Sequence, residues 1–140
     1  MAVNYSELVK EAIEARKMAY TPYSKYKVGA ALLTKNGEII RGCNIENASY
    51  SPTNCAERTA FFKAVSEGIT EFEAIAIVGG DESETDTMSN YAYPCGVCRQ
   101  VMREFCANEF EIVVGKSSNE YKVYTLEELL PEGFGPEHLL

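Results

Sequence analysis

Two short cysteine motifs, Cys55-Ala56-Glu57 and Pro94-Cys95-Gly96-Val97-Cys98, constrain the fold of this chain more than any other feature. They lie far apart in sequence, so three sulfurs can share one metal ion only if the fold brings two separate helix starts together. Cys95 and Cys98 are spaced i, i+3 at the opening of an expected helix, which puts both sulfurs on one side. Cys55 opens another helix. Helix N-termini carry partial positive charge and free N–H groups, and both favour thiolates. Soft thiolates in threes favour zinc. A structural zinc closes its tetrahedron with four protein ligands, whereas a catalytic zinc takes three and leaves one position to water. No fourth ligand stands at the expected spacing, so the pattern reads as catalytic. Glu57, two residues past the first ligand, is the carboxylate placed to handle protons. Asn54 and Glu57 also have capping-box spacing, which is the alternative reading of Glu57.

Composition narrows the options. A chain of 140 residues with 46% apolar content is long enough to bury about 70% of its unfolded surface as one domain, residues 1–140. No apolar run reaches the roughly 18 residues that a membrane span needs. The N-terminal stretch lacks the apolar core of a signal peptide, and a cytoplasmic protein is expected. Five cysteines make a poor disulfide framework. Cys43 and Cys106 fall in apolar-periodic segments and read as small buried hydrophobes. His138 is the only histidine, which disfavours Ser-His-Asp and Cys-His catalysis. The net charge of −8 repels phosphate backbones and argues against nucleic-acid binding, but not against a small neutral ligand.

The periodicities predict a helix from Tyr5 to Ala19, capped by Asn4, then strands at Val28–Leu33 and Glu38–Ile45 around Asn36-Gly37. A second helix runs from Asn54 or Cys55 to Glu67, with Gly68 as its stop. Glu73–Val78 reads as a buried strand ended by Gly79-Gly80. Asp81–Tyr93 is acidic and reads as an exposed loop. A third helix covers Gly96–Ala107, followed by strands at Phe110–Val114 and Tyr121–Tyr124. Thr125-Leu126-Glu127-Glu128 opens a short last helix by capping-box spacing. The strand-helix-strand unit from 73 to 114 requires a parallel crossover, so the sheet is mixed, with helices on its faces.

Charge completes the residue-level reading. Three thiolates and Zn²⁺ together carry one net negative charge, which weakens the metal as a Lewis acid. Arg58 and Arg99 directly follow the two motifs and are the candidate cations, Arg58 being assigned the charge-compensating role.

Cys-x-Glu followed by Pro-Cys-x-x-Cys is the pattern of zinc deaminases, in which the glutamate is the acid/base and not a ligand. Around these motifs the chain resembles the small cytidine deaminases, the homotetrameric class that acts on free nucleosides. The resemblance runs through Tyr20–Ser24, Val28–Leu32, Gly42–Tyr50, Cys55–Ala60, Pro94–Gln100 and Glu127–Pro131. It implies an α/β fold of three layers, α/β/α, with a five-stranded mixed sheet. It implies one zinc per chain on Cys55, Cys95 and Cys98, with Glu57 as proton shuttle. Asn44 and Glu46 match the family's ribose-binding pair. Tyr26 takes the place of an aromatic that lies against the nucleoside, and Ala56 stands among the substrate contacts. Phe134 matches a C-terminal aromatic that reaches a neighbouring subunit's site, and Tyr50 matches another residue of that shared site. The implied reaction is hydrolytic deamination of cytidine and deoxycytidine, in pyrimidine salvage. One departure is visible: Asp81–Tyr93 is longer and more acidic than the family's usual link, and it leads directly into Cys95.

Three other readings fit part of the pattern. A blasticidin-S-type deaminase shares the zinc motifs, although the Asn44–Tyr50 run favours a nucleoside. A zinc-stabilised binding module would need a fourth ligand from Cys43, Cys106 or His138. A redox dithiol would use Cys95 and Cys98 alone.

Overall fold

The computed structural model describes residues 2–140. Its strands are β1 (Tyr26–Thr34), β2 (Ile39–Cys43), β3 (Phe72–Asp81), β4 (Glu111–Ser117) and β5 (Glu120–Thr125). Its helices are α1 (Tyr5–Arg16), α2 (Ala56–Ser66), α3 (Gly96–Phe105) and α4 (Leu126–Leu129), with a 3₁₀ turn at Pro136–His138. The strands form one mixed sheet in the order β2-β1-β3-β4-β5. The β3–β4 pair is parallel, with α3 as the crossover between them, and the other pairs are antiparallel.

Alternation along the central strands builds two cores. Ile75 and Ile77 of β3 face Phe61 of α2 and Met102 of α3. Ala74, Ala76 and Val78 face Leu8, Val9 and Ala12 of α1. Covering both faces explains why β3 is apolar almost throughout. The result is the expected three-layer α/β/α arrangement with a five-stranded mixed sheet.

Local chemistry sets the helix ends. Asn4 Oδ1 accepts from Glu7 N at 3.1 Å at the start of α1. Thr125 and Glu128 form a complete capping box on α4. Gly42 of β2 lies under the first turns of α2. A Cβ there would meet Ala56 O and stand 2.6 Å from Ala60 N, so the missing side chain lets the start of α2 come down onto the sheet.

Several boundaries differ from expectation. α1 stops at Arg16 and not Ala19, because residues 17–19 close with tighter i→i−3 bonds and the Arg16 side chain turns into the protein. β2 ends at Cys43; Ile45 makes only isolated bridges to Tyr20 and Asn54. β1 begins at Tyr26, and β3 continues through Gly79-Gly80 to Asp81, because Tyr26, Lys27 and Val28 pair with Asp81, Gly80 and Gly79. α3 ends at Phe105, with Cys106 already extended. The segment Asp81–Tyr93 is not simply exposed: Met88 is only 1% accessible, and Tyr91 and Ala92 are half-buried. Cys106 is buried as expected, while Cys43 is only half so. The 3₁₀ turn near the C-terminus was not anticipated.

Candidate active site

Cys55 is the N-cap residue of α2 and Cys95 that of α3, with Cys98 in the first turn of α3. The ligand atoms of the three all lie within 4.8 Å of one another. Neither Cys43, Cys106 nor His138 joins this cluster among the described residues. The donor set fits zinc. A tetrahedral Zn²⁺ with Zn–S bonds of about 2.3 Å separates its sulfurs by about 3.8 Å, and Cys55 Sγ and Cys95 Sγ are 3.9 Å apart. Both helix N-termini converge on the cluster, and Cys98 N donates to Cys95 Sγ at 3.4 Å.

The cluster is electrostatically polarised even as thiols. Hydrogen bonding from Cys98 and then from Arg58 draws the Cys55 thiol down to about 5. Cys98, 1% accessible, moves the other way because of its hydrogen bond to Cys55 and its burial. Arg58 Nη2 donates to Cys55 Sγ at 3.3 Å, and this contact raises the guanidinium's affinity for its proton. Arg58 Nε is buried without a partner. Arg99, the other candidate cation, is used differently: it donates to Pro94 O and Leu129 O, both at 2.8 Å, and so ties the second motif to the C-terminal end of α4.

Glu57 is 4% accessible, and burial pushes its carboxyl up to about 7. It forms no capping box with Asn54: Cys55 is the N-cap residue, and Asn54 Nδ2 reaches Thr59 Oγ1 at 3.2 Å. Glu57 instead faces a cavity of about 370 Å³ shared with Cys55 and Cys95. That volume is at the small end of ligand pockets. Five cysteines remain free, so no disulfide holds the motifs together.

Comparison with known proteins decides the family. The family described as cytidine and deoxycytidylate deaminase zinc-binding region matches residues 3–114. The chain belongs to this family. It is 50% identical over 132 residues to a cytidine deaminase of Halalkalibacterium halodurans, covering 94% of this chain and 95% of the relative. It is 46% identical over 137 residues to one of Sporosarcina psychrophila, covering 98% and 96%. A crystal structure of a cytidine deaminase from Burkholderia pseudomallei superposes with a TM-score of 0.83 at 43% identity, covering 96% of this chain and 100% of that one. A blasticidin-S deaminase of Bacillus cereus is more distant, at 36% identity over 126 residues, covering 89% and 88%. The zinc-binding family and the three-cysteine cluster together fit one zinc per chain.

The residues implied for substrate binding in such a deaminase fall into three places. Tyr26, Asn44 and Ala56 line the cavity of Glu57. Asn44 is clamped to β1: its Oδ1 accepts from Val28 N and its Nδ2 donates to Tyr26 O, both at 2.9 Å. One N–H and one lone pair of that amide remain. Glu46 and Tyr50 line an adjoining cavity of about 360 Å³, which shares Thr53 with the first. The Glu46 carboxylate accepts from Ser24 Oγ, Tyr23 N and Ser24 N, and the Ser24 hydroxyl holds it below the usual carboxylate range. Tyr50 has φ 62° and is 73% accessible, edge-on to Tyr23. Phe134 lines neither cavity; it is 56% accessible and stacks on His138 at 5.1 Å. Sequence reasoning missed Val28 and Ile77, which look like ordinary core residues, and Tyr91 and Tyr93. The two tyrosines immediately precede Pro94-Cys95, and that position was the available signal.

Proposed function

We propose that this chain is a zinc-dependent hydrolase that converts free cytidine and deoxycytidine to uridine and deoxyuridine, releasing ammonia, in pyrimidine salvage. The observation that carries the reading is Glu57: a buried carboxyl raised to about 7, facing a ligand-sized cavity beside three convergent thiols. Cys55, Cys95 and Cys98 are the residues that would hold the metal. When bound, zinc supplies a Lewis acid that brings the pKa of water towards about 7.

Glu57 takes a proton from the attacking water on its carboxylate and delivers it to N3 of the pyrimidine as the water oxygen bonds to C4. Glu57 then carries the second water proton to the exocyclic amine, the C4–N bond breaks, and ammonia leaves. A group titrating near neutral pH is suited to both roles. Arg58 offsets the negative charge of the thiolates through Cys55. Val28, Ile77 and Tyr26 give the base an apolar and aromatic setting. The spare N–H and lone pair of Asn44 suit a sugar hydroxyl. Three donors fill three of the roughly four acceptor sites of Glu46, which leaves one for a second hydroxyl.

The working unit in this reading is a homotetramer of single-domain chains, residues 1–140, in the cytoplasm. Exposed aromatic side chains at Tyr50 and Phe134 support shared sites, one subunit completing the next. Among the described residues no helix is long and apolar enough to cross a membrane. The net charge of −8 disfavours polymeric phosphate substrates. The test is ultraviolet-monitored turnover with and without chelator, in competition among cytidine, cytidine monophosphate, a cytosine-containing oligonucleotide and blasticidin S. Chelator-sensitive preference for cytidine is expected. Preference for any of the other three contradicts the reading, blasticidin S being the second candidate because of the relative that bears that name.

A further inference from the structure

The acidic segment between β3 and α3 is a built wall of the cavity. It crosses the end of β3 over two glycines. A Cβ on Gly79 would come within 2.9 Å of Ala92 Cβ and 3.2 Å of Tyr26 Oη, and one on Gly80 would lie 3.0 Å from Met88 Sδ. Bare backbone at both positions lets the segment lie directly on the strand. The buried Met88 donates its N–H to Lys116 O at 2.7 Å, and Arg16 Nη1 donates to Glu84 O at 2.7 Å. So anchored, the segment delivers Tyr91, Ala92 and Tyr93 to the cavity that holds Glu57.

Two ammonium groups stand against Tyr91. Lys116 Nζ and Lys122 Nζ each lie 4.7 Å from its ring centroid. Neither lysine lines the cavity, whereas Tyr91 does. Lys116 is offset in part by Glu120 at 3.8 Å, and Lys122 has no ion pair among the described residues. An aromatic face attracts both cations and holds the ring in place. Without that face, two ammonium groups at the cavity wall would suit a phosphate.

We propose that Tyr91 is a specificity-determining residue: its ring walls the nucleoside cavity and covers the Lys116–Lys122 pair, so that neutral nucleosides are accepted and the phosphate of a nucleotide gains no cationic partner. This rests on the cytidine-deaminase reading of the site. The test is steady-state kinetics on cytidine and cytidine monophosphate with the zinc-loaded enzyme. Tyr91→Phe, which keeps a ring over both lysines, leaves the nucleotide-to-nucleoside ratio of kcat/KM within about twofold of wild type. Tyr91→Ala raises the KM for cytidine tenfold or more and raises the nucleotide-to-nucleoside ratio of kcat/KM by tenfold or more, and added salt erodes that gain. Adding Lys116→Met and Lys122→Met removes the gain in ratio and leaves the cytidine defect. If Tyr91→Ala fails to fold, Tyr91→Leu takes its place, with a smaller rise in ratio expected. An unchanged ratio in a folded, active Tyr91 variant, or a gain that survives loss of both lysines, overturns this inference alone. A wild-type enzyme with full zinc that is inert towards cytidine overturns the functional reading and this inference with it.

Discussion

Glu57 and Arg58 are neighbours on the first turn of α2, and the fold treats their charges in opposite ways. Glu57 is buried at the wall of the cavity, so its ionised form is disfavoured, which suits the proton-carrying role proposed for it near neutral pH. Arg58 keeps its charge and directs it at Cys55. Removing that charge-assisted hydrogen bond is worth about 1.5–3 kcal/mol, so Arg58→Ala is expected to slow cytidine turnover by roughly 10–100-fold while zinc content, measured by elemental analysis, falls far less. An unchanged rate and pH–rate profile would remove Arg58 from the mechanism. Exposure separates the five thiols in the same way. After chelation, peptide mass spectrometry with an alkylating agent should find the exposed Cys95 and the acidified Cys55 modified before the buried Cys98, with Cys106 untouched. Cys106 is buried, and burial pushes its thiol up to about 12. Zinc should protect Cys95, and equal labelling with and without chelator would speak against it as a ligand.

At the scale of elements, the site is the meeting of two helix starts, and Gly42 governs one of them. Gly42→Ala forces a Cβ against the backbone of Ala56 and Ala60. Overpacking of this kind costs about 1–3 kcal/mol and displaces the turn that carries Cys55, so urea denaturation and zinc retention should both suffer. Thr125→Ala, which removes the cap of α4, should cost about 1 kcal/mol and leave zinc and turnover as they were. If the two variants behave alike, the link between Gly42 and the metal site is wrong. The order of helices and strands was legible because periodicity reports burial: β3 reads as apolar since both its faces are covered. The two cysteine motifs were legible because residues grouped to share one metal keep a short, fixed spacing, as the proposed ligands do here. What lay hidden depends on contacts between distant segments. Gly79-Gly80 reads as a strand end and is in fact the place where residues 84–92 cross the strand. Tyr91 reads as one residue of a polar loop until Lys116 and Lys122 are seen beside it. Glu46 reads as the companion of Asn44 by spacing, but β2 ends at Cys43, and the chain then turns its carboxylate towards Ser24.

For the whole molecule, metal and fold are coupled. In the proposed reading three ligands from two segments close the space between α2 and α3, so Cys98→Ser should lose zinc and thermal stability together; full zinc and full activity in that variant would exclude Cys98. In the proposed tetramer, light scattering should find four chains at assay concentration, and Phe134→Ala should raise KM with zinc retained. An active monomer would contradict shared sites. The central claim, that a zinc-bearing site uses Glu57 to move protons, is tested most directly by measuring zinc stoichiometry and cytidine turnover on one preparation of Glu57→Gln. The expected result is about one zinc per chain, stability no lower than wild type, and turnover down by at least about 10²–10⁴-fold. Wild-type turnover in a fully zinc-loaded Glu57→Gln protein would contradict it.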